Sequence, residues 1–178
     1  MSEQKEITKY LAKRTSFYKH QLAKFCSQSK IVEYSKGKVL LRENETADTL
    51  FFVHSGVLRQ FIITPSGKDV TIDFSVEEQN PFCSSYSSFI TQKKSKVHIQ
   101  TLTDVKVSIW KKSQVIECFK ENHLGELLFK TIIEKMFVRK EQKEICFIKH
   151  SAKERFMDFQ KDFPDLIDII PQHYIATY

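Results

Sequence analysis

The side chains that could form a metal or redox centre are dispersed along this sequence. None of its four cysteines (Cys26, Cys83, Cys118 and Cys146) belongs to a Cys-x-x-Cys pair, and none of its six histidines belongs to a His-x-His pair. Zinc ribbons and most iron–sulfur sites need cysteines at close spacing. The sequence therefore predicts no metal site and four reduced thiols.

Catalysis on phosphates or acyl groups is also disfavoured. The 178 residues contain only four glycines, far apart, so there is no Gly-x-Gly-x-x-Gly motif and no phosphate-binding loop. Neither a nucleophile elbow nor a pair of catalytic carboxylates can be identified. We expect a protein that is not an enzyme. A cupin is the enzyme class left open, with His54 and His98 as its candidate ligands, although the His-x-His pair of a cupin metal site is missing.

The formal net charge of +6 is concentrated at the N-terminus. Residues 1–30 hold seven basic side chains against two acidic ones, whereas residues 122–178 hold nine of each. The C-terminal part is therefore not a basic nucleic-acid-binding surface by itself. No apolar run has the length of a signal peptide core or a membrane span. We expect a cytoplasmic protein without a membrane partner.

The spacing of apolar residues predicts which parts of the chain are helices and which are strands, and these elements must position the side chains described above. Apolar residues recur at three- and four-residue intervals between Ile7 and Phe25, which predicts one or two short helices. From Ile31 to Lys112 the chain consists of short runs rich in Val, Ile, Phe and Thr, with the hairpin signal Pro-Ser-Gly at residues 65–67. Short, closely spaced strands of this kind predict an α+β protein with a sandwich or rolled barrel.

Helical spacing returns after Trp110. We predict a short helix from Ser113 to Phe119 and a long one from Asn122 to about Lys149. Eight of the twelve residues at 127–138 are apolar, which is more than one contact surface needs. The long helix must therefore be buried on two sides, and a second copy of the chain is the economical partner. The predicted seam residues are Leu124, Leu128, Ile132 and Val138.

The C-terminal residues predict a small helical unit. Ser151 and Glu154 have the spacing of a capping box, Pro164 ends or restarts the helix that follows, and Pro171 is predicted at the first position of a last helix. That last helix reaches Tyr178.

These segments, in this order, resemble the Crp/Fnr family of bacterial transcription regulators. YSKGKVLL, ENETADTLFFVHSGVLRQF, PSGKDVTIDF and LTDVKVSIW resemble its β-roll, and they place Gly37, Gly56 and Gly67 at turns that need a positive φ. SAKERF, Pro164, Pro171 and Ile175-Ala176 resemble its lead-in to a helix-turn-helix. The resemblance implies a cyclic-nucleotide-binding-type, jelly-roll-like β-roll with N-terminal helices (1–117), a dimerisation helix (118–149) and the start of a winged helix-turn-helix (150–178).

The function that the resemblance implies is that of a homodimeric, DNA-binding transcription regulator. Its partners would be a second copy, double-stranded DNA if the helix-turn-helix is complete, and RNA polymerase. The recognition helix would follow Tyr178, so the DNA-contacting residues are unknown and we expect the natural chain to continue. The alternative is a sensor-only or adaptor dimer without DNA binding.

The family's cyclic nucleotide binders hold the ribose with a glutamate and the phosphate with an arginine. Ser84 and Ser95 occupy those positions here, and Cys83 replaces the glycine that directly precedes the glutamate. Each lost charge-assisted hydrogen bond costs about 1.5 to 3 kcal/mol. Losing both should therefore weaken binding of a cyclic nucleotide by roughly 10²- to 10⁴-fold. We expect that cyclic AMP is not the effector and leave the effector's identity open.

The candidate effector site can be an apolar cavity or can be filled by its own aromatic side chains. Lys94 and Lys96 flank Ser95 and could restore a positive charge. The candidate lining consists of Phe82, Cys83, Ser84, Ser85, Lys94, Ser95, Lys96, Phe129 and Phe137.

Overall fold

The computed structural model describes residues 2–14, 19–121 and 123–178. It confirms the predicted class, an α+β protein in which helices surround a β-roll. The elements in chain order are α1 (Ser2–Arg14), α2 (Lys19–Ser27), β1 (Lys30–Tyr34), β2 (Val39–Leu41), β3 (Thr49–Ser55), β4 (Val57–Ile63), β5 (Asp69–Val76), β6 (Phe82–Cys83), α3 (Tyr86–Thr91), β7 (His98–Thr101), β8 (Val105–Lys111), α4 (Lys112–Glu121), α5 (His123–Lys149), α6 (Ala152–Asp162), a 3₁₀ turn (Pro164–Leu166) and α7 (Gln172–Ala176).

The roll consists of two four-stranded sheets with antiparallel neighbours. The first sheet has the order β1-β8-β3-β6 and the second has the order β2-β7-β4-β5, so β5 is an edge strand. Val53 and Val107 of the first sheet share one buried cluster with Leu58 and Ile99 of the second. The apolar runs seen in the sequence are therefore the core of the roll.

Helices α1, α2 and α4 contribute to the same core. Ile7 and Leu11 of α1 and Val115 of α4 are buried in it. Phe25 of α2 stacks on Trp110 with ring centroids 4.6 Å apart. The Trp110 indole also donates a hydrogen bond of 2.7 Å to the Phe25 carbonyl, so the large aromatic side chain is buried with its polar atom satisfied.

Glycine is required at the turn between β3 and β4. Gly56 has a φ of +83°, and a Cβ added to it would lie 2.2 Å from the Asp104 carbonyl oxygen. Gly37 and Gly67 also have positive φ values. The predicted turn roles of these three glycines are confirmed.

The two helices after the roll are close to their predicted bounds. The short helix, α4, is Lys112–Glu121, and the long one, α5, is His123–Lys149; Asn122 lies outside the described residues. Ile132 packs against the core of the roll, while the side chains of Leu124 and Leu128 lie outside the described part of the structure. Within that part, none of the helices combines the length and apolar content needed to cross a bilayer.

The segment after α5, residues 151–178, is called the C-terminal unit below. The predicted capping box is confirmed, because the Glu154 backbone N–H donates to Ser151 Oγ at 3.4 Å and the Ser151 N–H donates to Glu154 Oε2 at 2.8 Å. Pro171 is not the first helical residue as predicted: its ψ of 133° is extended, so it precedes α7.

The C-terminal unit packs against the second sheet through an aromatic cluster. Phe159 and Phe163 contact Phe74 of β5, with ring centroids 5.7 and 6.3 Å from it. Leu166, Ile170 and Ile175 extend the same buried cluster. The roll and the C-terminal unit therefore share a second hydrophobic core.

Candidate functional site

A cavity of about 610 Å³ lies between the second sheet and α5. Pockets for small organic molecules usually have volumes of about 300 to 1,000 Å³, so the cavity has the size of a ligand site. It is lined by Gln60, Val70, Thr71, Ile72, Asp73, Asn80, Phe82, Ser85, Tyr86, Ser87, Val97, Met136, Arg139, Lys140, Lys143, Glu144, Phe147, Ile148, Thr177 and Tyr178. Four segments thus meet in one place: the roll, the start of α3, α5 and the end of the C-terminal unit.

The roll side of the cavity is built on its edge strand. The register of the β4–β5 ladder shifts so that Phe61 pairs with Thr71 and Gln60 pairs with Asp73, which leaves Ile72 in a bulge. A bulged residue at an edge keeps its carbonyl available to other groups. The Ile72 carbonyl accepts a hydrogen bond from Lys143 Nζ of α5.

Asp73 and Arg139 form the ion pair that joins this edge to α5. Arg139 Nη1 donates to Asp73 Oδ2 at 2.7 Å and Nη2 donates to Oδ1 at 2.9 Å. Asn80 Nδ2 also donates to Asp73 Oδ2, at 3.2 Å. Burial alone would lower the pKa of Arg139, but the Asp73 carboxylate outweighs it and raises that pKa above its ordinary value. The pair therefore stays ionised and holds the helix against the roll.

Lys143 is the second cation of the cavity wall. Its Nζ lies 3.3 Å from the centroid of the Tyr178 ring, and no carboxylate of the described residues forms an ion pair with it. Burial lowers the pKa of Lys143 to about 8, with Asp73 offsetting part of that effect. An anion entering the cavity would therefore meet an ammonium group that has little other compensation for its charge.

The two serines at the family's anchor positions are already hydrogen-bonded within the protein. Ser84 Oγ donates to the Thr49 carbonyl at 2.9 Å. Ser95 Oγ contacts Ser85 Oγ at 2.9 Å and donates to the Val97 carbonyl at 2.7 Å. Both serines are fully buried. Ser95 is therefore paired with Ser85, Ser84 is paired with the backbone, and neither anchor position presents a charge.

Of the other candidate lining residues, some line the cavity and some lie outside it. Phe82 and Ser85 line the cavity. Cys83 lies behind them: burial raises the pKa of its thiol to about 12, so it is not a reactive thiolate. Lys94 and Lys96 are exposed and do not line the cavity.

The structure does not bring Phe137 to the cavity. Phe137 is 70% exposed, whereas Met136 and Phe147 supply the apolar part of the α5 wall. The side chain of Phe129 lies outside the described residues. The aromatic side chains of the described wall therefore leave an open space and do not fill it.

The C-terminal unit closes part of the cavity and is anchored beside it. The Arg59 guanidinium lies 4.3 Å from the Phe61 ring centroid and 3.8 Å from that of Tyr174. Thr177 Oγ1 accepts a hydrogen bond of 3.1 Å from the Thr71 N–H. Tyr178 then reaches the cavity wall. Contacts with the roll therefore anchor the end of the C-terminal unit at Tyr174 and at Thr177.

The sequence analysis missed the charged part of the site. Arg139 and Lys143 are four residues apart on one helix, so they lie on the same face. That spacing was visible in the sequence. Their partners on β5 lie 66 and 71 residues away, so only tertiary structure identifies them.

The two histidines considered for a cupin site do not meet. His54 lies in the first sheet, where its ring nitrogens contact Glu6 Oε2 and Ser108 Oγ, each at 2.8 Å. His98 lies in the second sheet and stacks on Phe61 with ring centroids 4.7 Å apart. Both His54 nitrogens therefore have partners, whereas His98 accepts a hydrogen bond of 3.3 Å from the Glu43 N–H at Nδ1, and its Nε2 is buried without a hydrogen-bond partner among the described residues.

Residues 31–122, slightly more than half of the chain, match the family model described as the cyclic nucleotide-binding domain. A comparison with curated proteins found no match.

Solved structures share the fold at low sequence identity. A cyclic nucleotide-binding domain from Methylobacillus flagellatus is 13% identical, with a TM-score of 0.73 over 84% of this chain and 85% of that one. A putative Crp/Fnr-family transcriptional regulator from Eubacterium rectale is 17% identical, with a TM-score of 0.69 over 92% and 77%. The Thermus thermophilus catabolite activator protein is 12% identical, with a TM-score of 0.61 over 77% and 63%. This chain therefore spans less than two thirds of that activator.

Proposed function

The chain belongs to the cyclic nucleotide-binding domain family, and from that membership we propose that it is the sensing and dimerising part of a Crp/Fnr-type transcription regulator. In this proposal residues 1–117 form the sensor roll, residues 118–149 form the dimer and also contribute to the effector site, and residues 150–178 begin the DNA-binding domain.

One observation carries the proposal: a single cavity is walled by the roll, by α5 and by the end of the C-terminal unit. A ligand in this cavity would contact all three parts. It would shift the population between two arrangements of α5 and the C-terminal unit if its contacts differ between them. The spacing of two DNA-binding heads would change as a result.

The effector that fits this wall is an organic anion with an apolar body. The described cations of the lining, Arg139, Lys140 and Lys143, all come from α5 and outnumber the two carboxylates, Asp73 and Glu144. Asp73 is already paired with Arg139. Val70, Phe82 and Met136 are part of a mostly apolar remainder. Cyclic AMP is disfavoured because Ser84 and Ser95 offer no charge to its phosphate or ribose.

Calorimetric titration tests the choice of effector. The probes are cyclic AMP and the apolar anion 1-anilinonaphthalene-8-sulfonate, each added to wild-type protein. We expect cyclic AMP to bind no tighter than about millimolar, given the loss of two charge-assisted hydrogen bonds, and the sulfonate to bind more tightly. Micromolar binding of cyclic AMP would overturn the assignment.

The dimer is proposed to form along a second face of α5. Val138 and Ile145 are 49% and 45% exposed and are seven residues apart, the repeat of a coiled-coil position. Leu124 lies two such repeats before Val138. Neither Val138 nor Ile145 lines the 610 Å³ cavity, although each lines a smaller cavity together with Arg139, so in this proposal dimerisation and effector binding use neighbouring faces of one helix.

DNA binding is the part of the proposal that needs the complete gene product. In this proposal a turn and a recognition helix complete the helix-turn-helix that residues 150–178 begin. The complete protein should then bind a two-fold-related site with steep salt dependence, measured by fluorescence anisotropy. A stop codon directly after Tyr178, with dimers that bind no DNA, would favour the adaptor alternative.

A further inference from the structure

Three side chains of metal-ligating type meet where α5 joins the C-terminal unit. Cys146 and His150 are four residues apart, and the His150 N–H still donates to the Cys146 carbonyl at 2.9 Å, so the helical geometry extends to His150. Asp158 comes from α6. One ligand atom from each residue, the Cys146 sulfur, a His150 ring nitrogen and an Asp158 oxygen, lies within 4.8 Å of the other two.

We propose that Cys146, His150 and Asp158 bind a divalent transition metal ion of the zinc class. A thiolate, an imidazole and a carboxylate are the ligand types that zinc takes in proteins, and three protein ligands leave a fourth position for water. Within the part of the chain that the structure describes, no other trio of Cys, His, Asp or Glu side chains is so arranged. This inference does not depend on the proposed effector or on DNA binding.

The geometry requires a small adjustment for a metal to bind. His150 Nδ1 and Asp158 Oδ2 are 2.6 Å apart and share a hydrogen bond. Two ligand atoms of a tetrahedral zinc ion are separated by roughly 3.4 Å, given bonds of about 2.0 to 2.3 Å. The metal would displace the shared proton and the Cys146 thiol proton, and the imidazole and carboxylate would move apart by less than about 1 Å.

The surroundings allow a metal to enter. A cavity of about 430 Å³ is lined by all three residues and by Asp162, and each of the three is only partly buried. Arg139, Lys143, Arg155 and Lys161 also line this cavity. Arg139 is compensated by its ion pair with Asp73. Lys161 Nζ lies 3.9 Å from the other oxygen, Asp158 Oδ1, with its side chain 75% exposed, so its repulsion is screened by water.

A metal at this place would join α5 to α6. His150 and Ser151 form the only link between the two helices in sequence, and the ligands come from both sides of that link. Occupancy would restrict rotation of the C-terminal unit relative to α5. Oxidation of the Cys146 sulfur would remove a ligand.

Cobalt titration tests the proposal directly. Metal-free protein is titrated with Co²⁺, then with Zn²⁺ as competitor, and we expect one equivalent per chain with a sulfur-to-cobalt charge-transfer band. Cys146→Ser should abolish that band, and His150→Gln and Asp158→Asn should each weaken binding by at least about tenfold. Cys118→Ala and His173→Gln are matched controls and should leave the titration unchanged.

A second measurement uses only the wild-type protein, so it does not depend on whether a variant folds. Zn²⁺ should slow alkylation of Cys146 by iodoacetamide, followed by mass spectrometry of the peptide. The proposal is overturned if no charge-transfer band forms with wild type, if Cys146→Ser keeps the band, or if Zn²⁺ leaves the alkylation rate of Cys146 unchanged. The trio would then be only the hydrogen-bonded His150–Asp158 pair beside a thiol.

Discussion

Most polar side chains around the 610 Å³ cavity between the second sheet and α5 already have partners within the protein. Asp73 is held by Arg139 and Asn80, and Ser95 by Ser85. Lys143 differs, since its contacts are a backbone carbonyl and the Tyr178 ring. An incoming anion would therefore gain most from Lys143, which makes that side chain the residue on which ligand affinity should depend.

Replacing Lys143 with Met should weaken binding of 1-anilinonaphthalene-8-sulfonate by about tenfold, because a charge-assisted contact is lost. The pKa of Lys143 is about 8 in the free protein, and a bound anion would raise it. Wild-type binding should therefore take up a proton above pH 8 and weaken by up to about tenfold per pH unit towards the ordinary lysine pKa.

Calorimetry at pH 7, 8 and 9 measures both effects. Lys149→Met, which removes an exposed lysine away from the cavity lining, is the control and should behave like wild type. Equal affinity and equal pH dependence in Lys143→Met and wild type would contradict this role.

At the scale of single elements, α5 carries separate surfaces on one helix. Met136, Arg139 and Lys143 face the cavity, while Val138 and Ile145 are exposed. Ile132 packs on the core of the roll, so its predicted seam role competes with an intrachain contact. The proposed dimer would cover Val138 and Ile145, which the roll of the same chain leaves exposed.

Val138→Glu should convert the dimer to a monomer, because two carboxylates would face each other in an apolar seam. Sedimentation or light scattering at several protein concentrations measures the change. Ile63→Glu alters a residue of similar exposure on β4 and should remain dimeric. If Val138→Glu dimerises with unchanged affinity, Val138 does not belong to the dimer interface.

The start of α6 depends on a local cap. Ser151→Ala removes the side-chain acceptor for the Glu154 N–H and should lower the free energy of unfolding by about 1 kcal/mol. Chemical denaturation measures it. Ser113→Ala, an exposed serine within α4, is the comparison, and a loss of the same size there would show that the cap adds nothing.

Local and long-range features differ in how well the sequence predicts them. Ser151 and Glu154 are three residues apart, and Gly56 lies in one turn, so their roles follow from nearby residues. The pairing of Asp73 with Arg139 depends on how the whole chain folds. The contact between Ser95 Oγ and Ser85 Oγ joins residues ten apart in the chain, and aligning Ser84 and Ser95 with the two anchor positions of the family motif does not predict it.

At the scale of the whole molecule, an arginine of the roll holds the C-terminal unit in place. Arg59 lies between Phe61 and Tyr174, and burial lowers its pKa to about 10. It is still protonated at neutral pH and can hold Tyr174 by a cation–π contact. Any movement of the unit relative to the roll must break this contact.

Tyr174→Ala should loosen the C-terminal unit without unfolding the roll, since it removes a cation–π contact of about 0.5 to 2 kcal/mol and part of a buried cluster. Hydrogen exchange should rise across residues 151–178 and stay constant in β3 and β8. Gln172→Ala, which alters an exposed residue of α7, should leave the exchange unchanged. If residues 151–178 exchange at the same rate in Tyr174→Ala and in wild type, the contact between Arg59 and Tyr174 does not stabilise the C-terminal unit.

The hydroxyl contact between Ser85 and Ser95 limits how this protein could evolve towards cyclic nucleotides. An arginine at position 95 would place a cation where the present residue is 1% exposed, and a glutamate at position 84 would face the Thr49 carbonyl that now accepts a hydrogen bond. Each change alone destabilises the fold before the other makes a binding site. On the proposal that cyclic AMP is not the effector, several coupled mutations would separate this roll from nucleotide recognition, and point mutants screened one at a time should not acquire it.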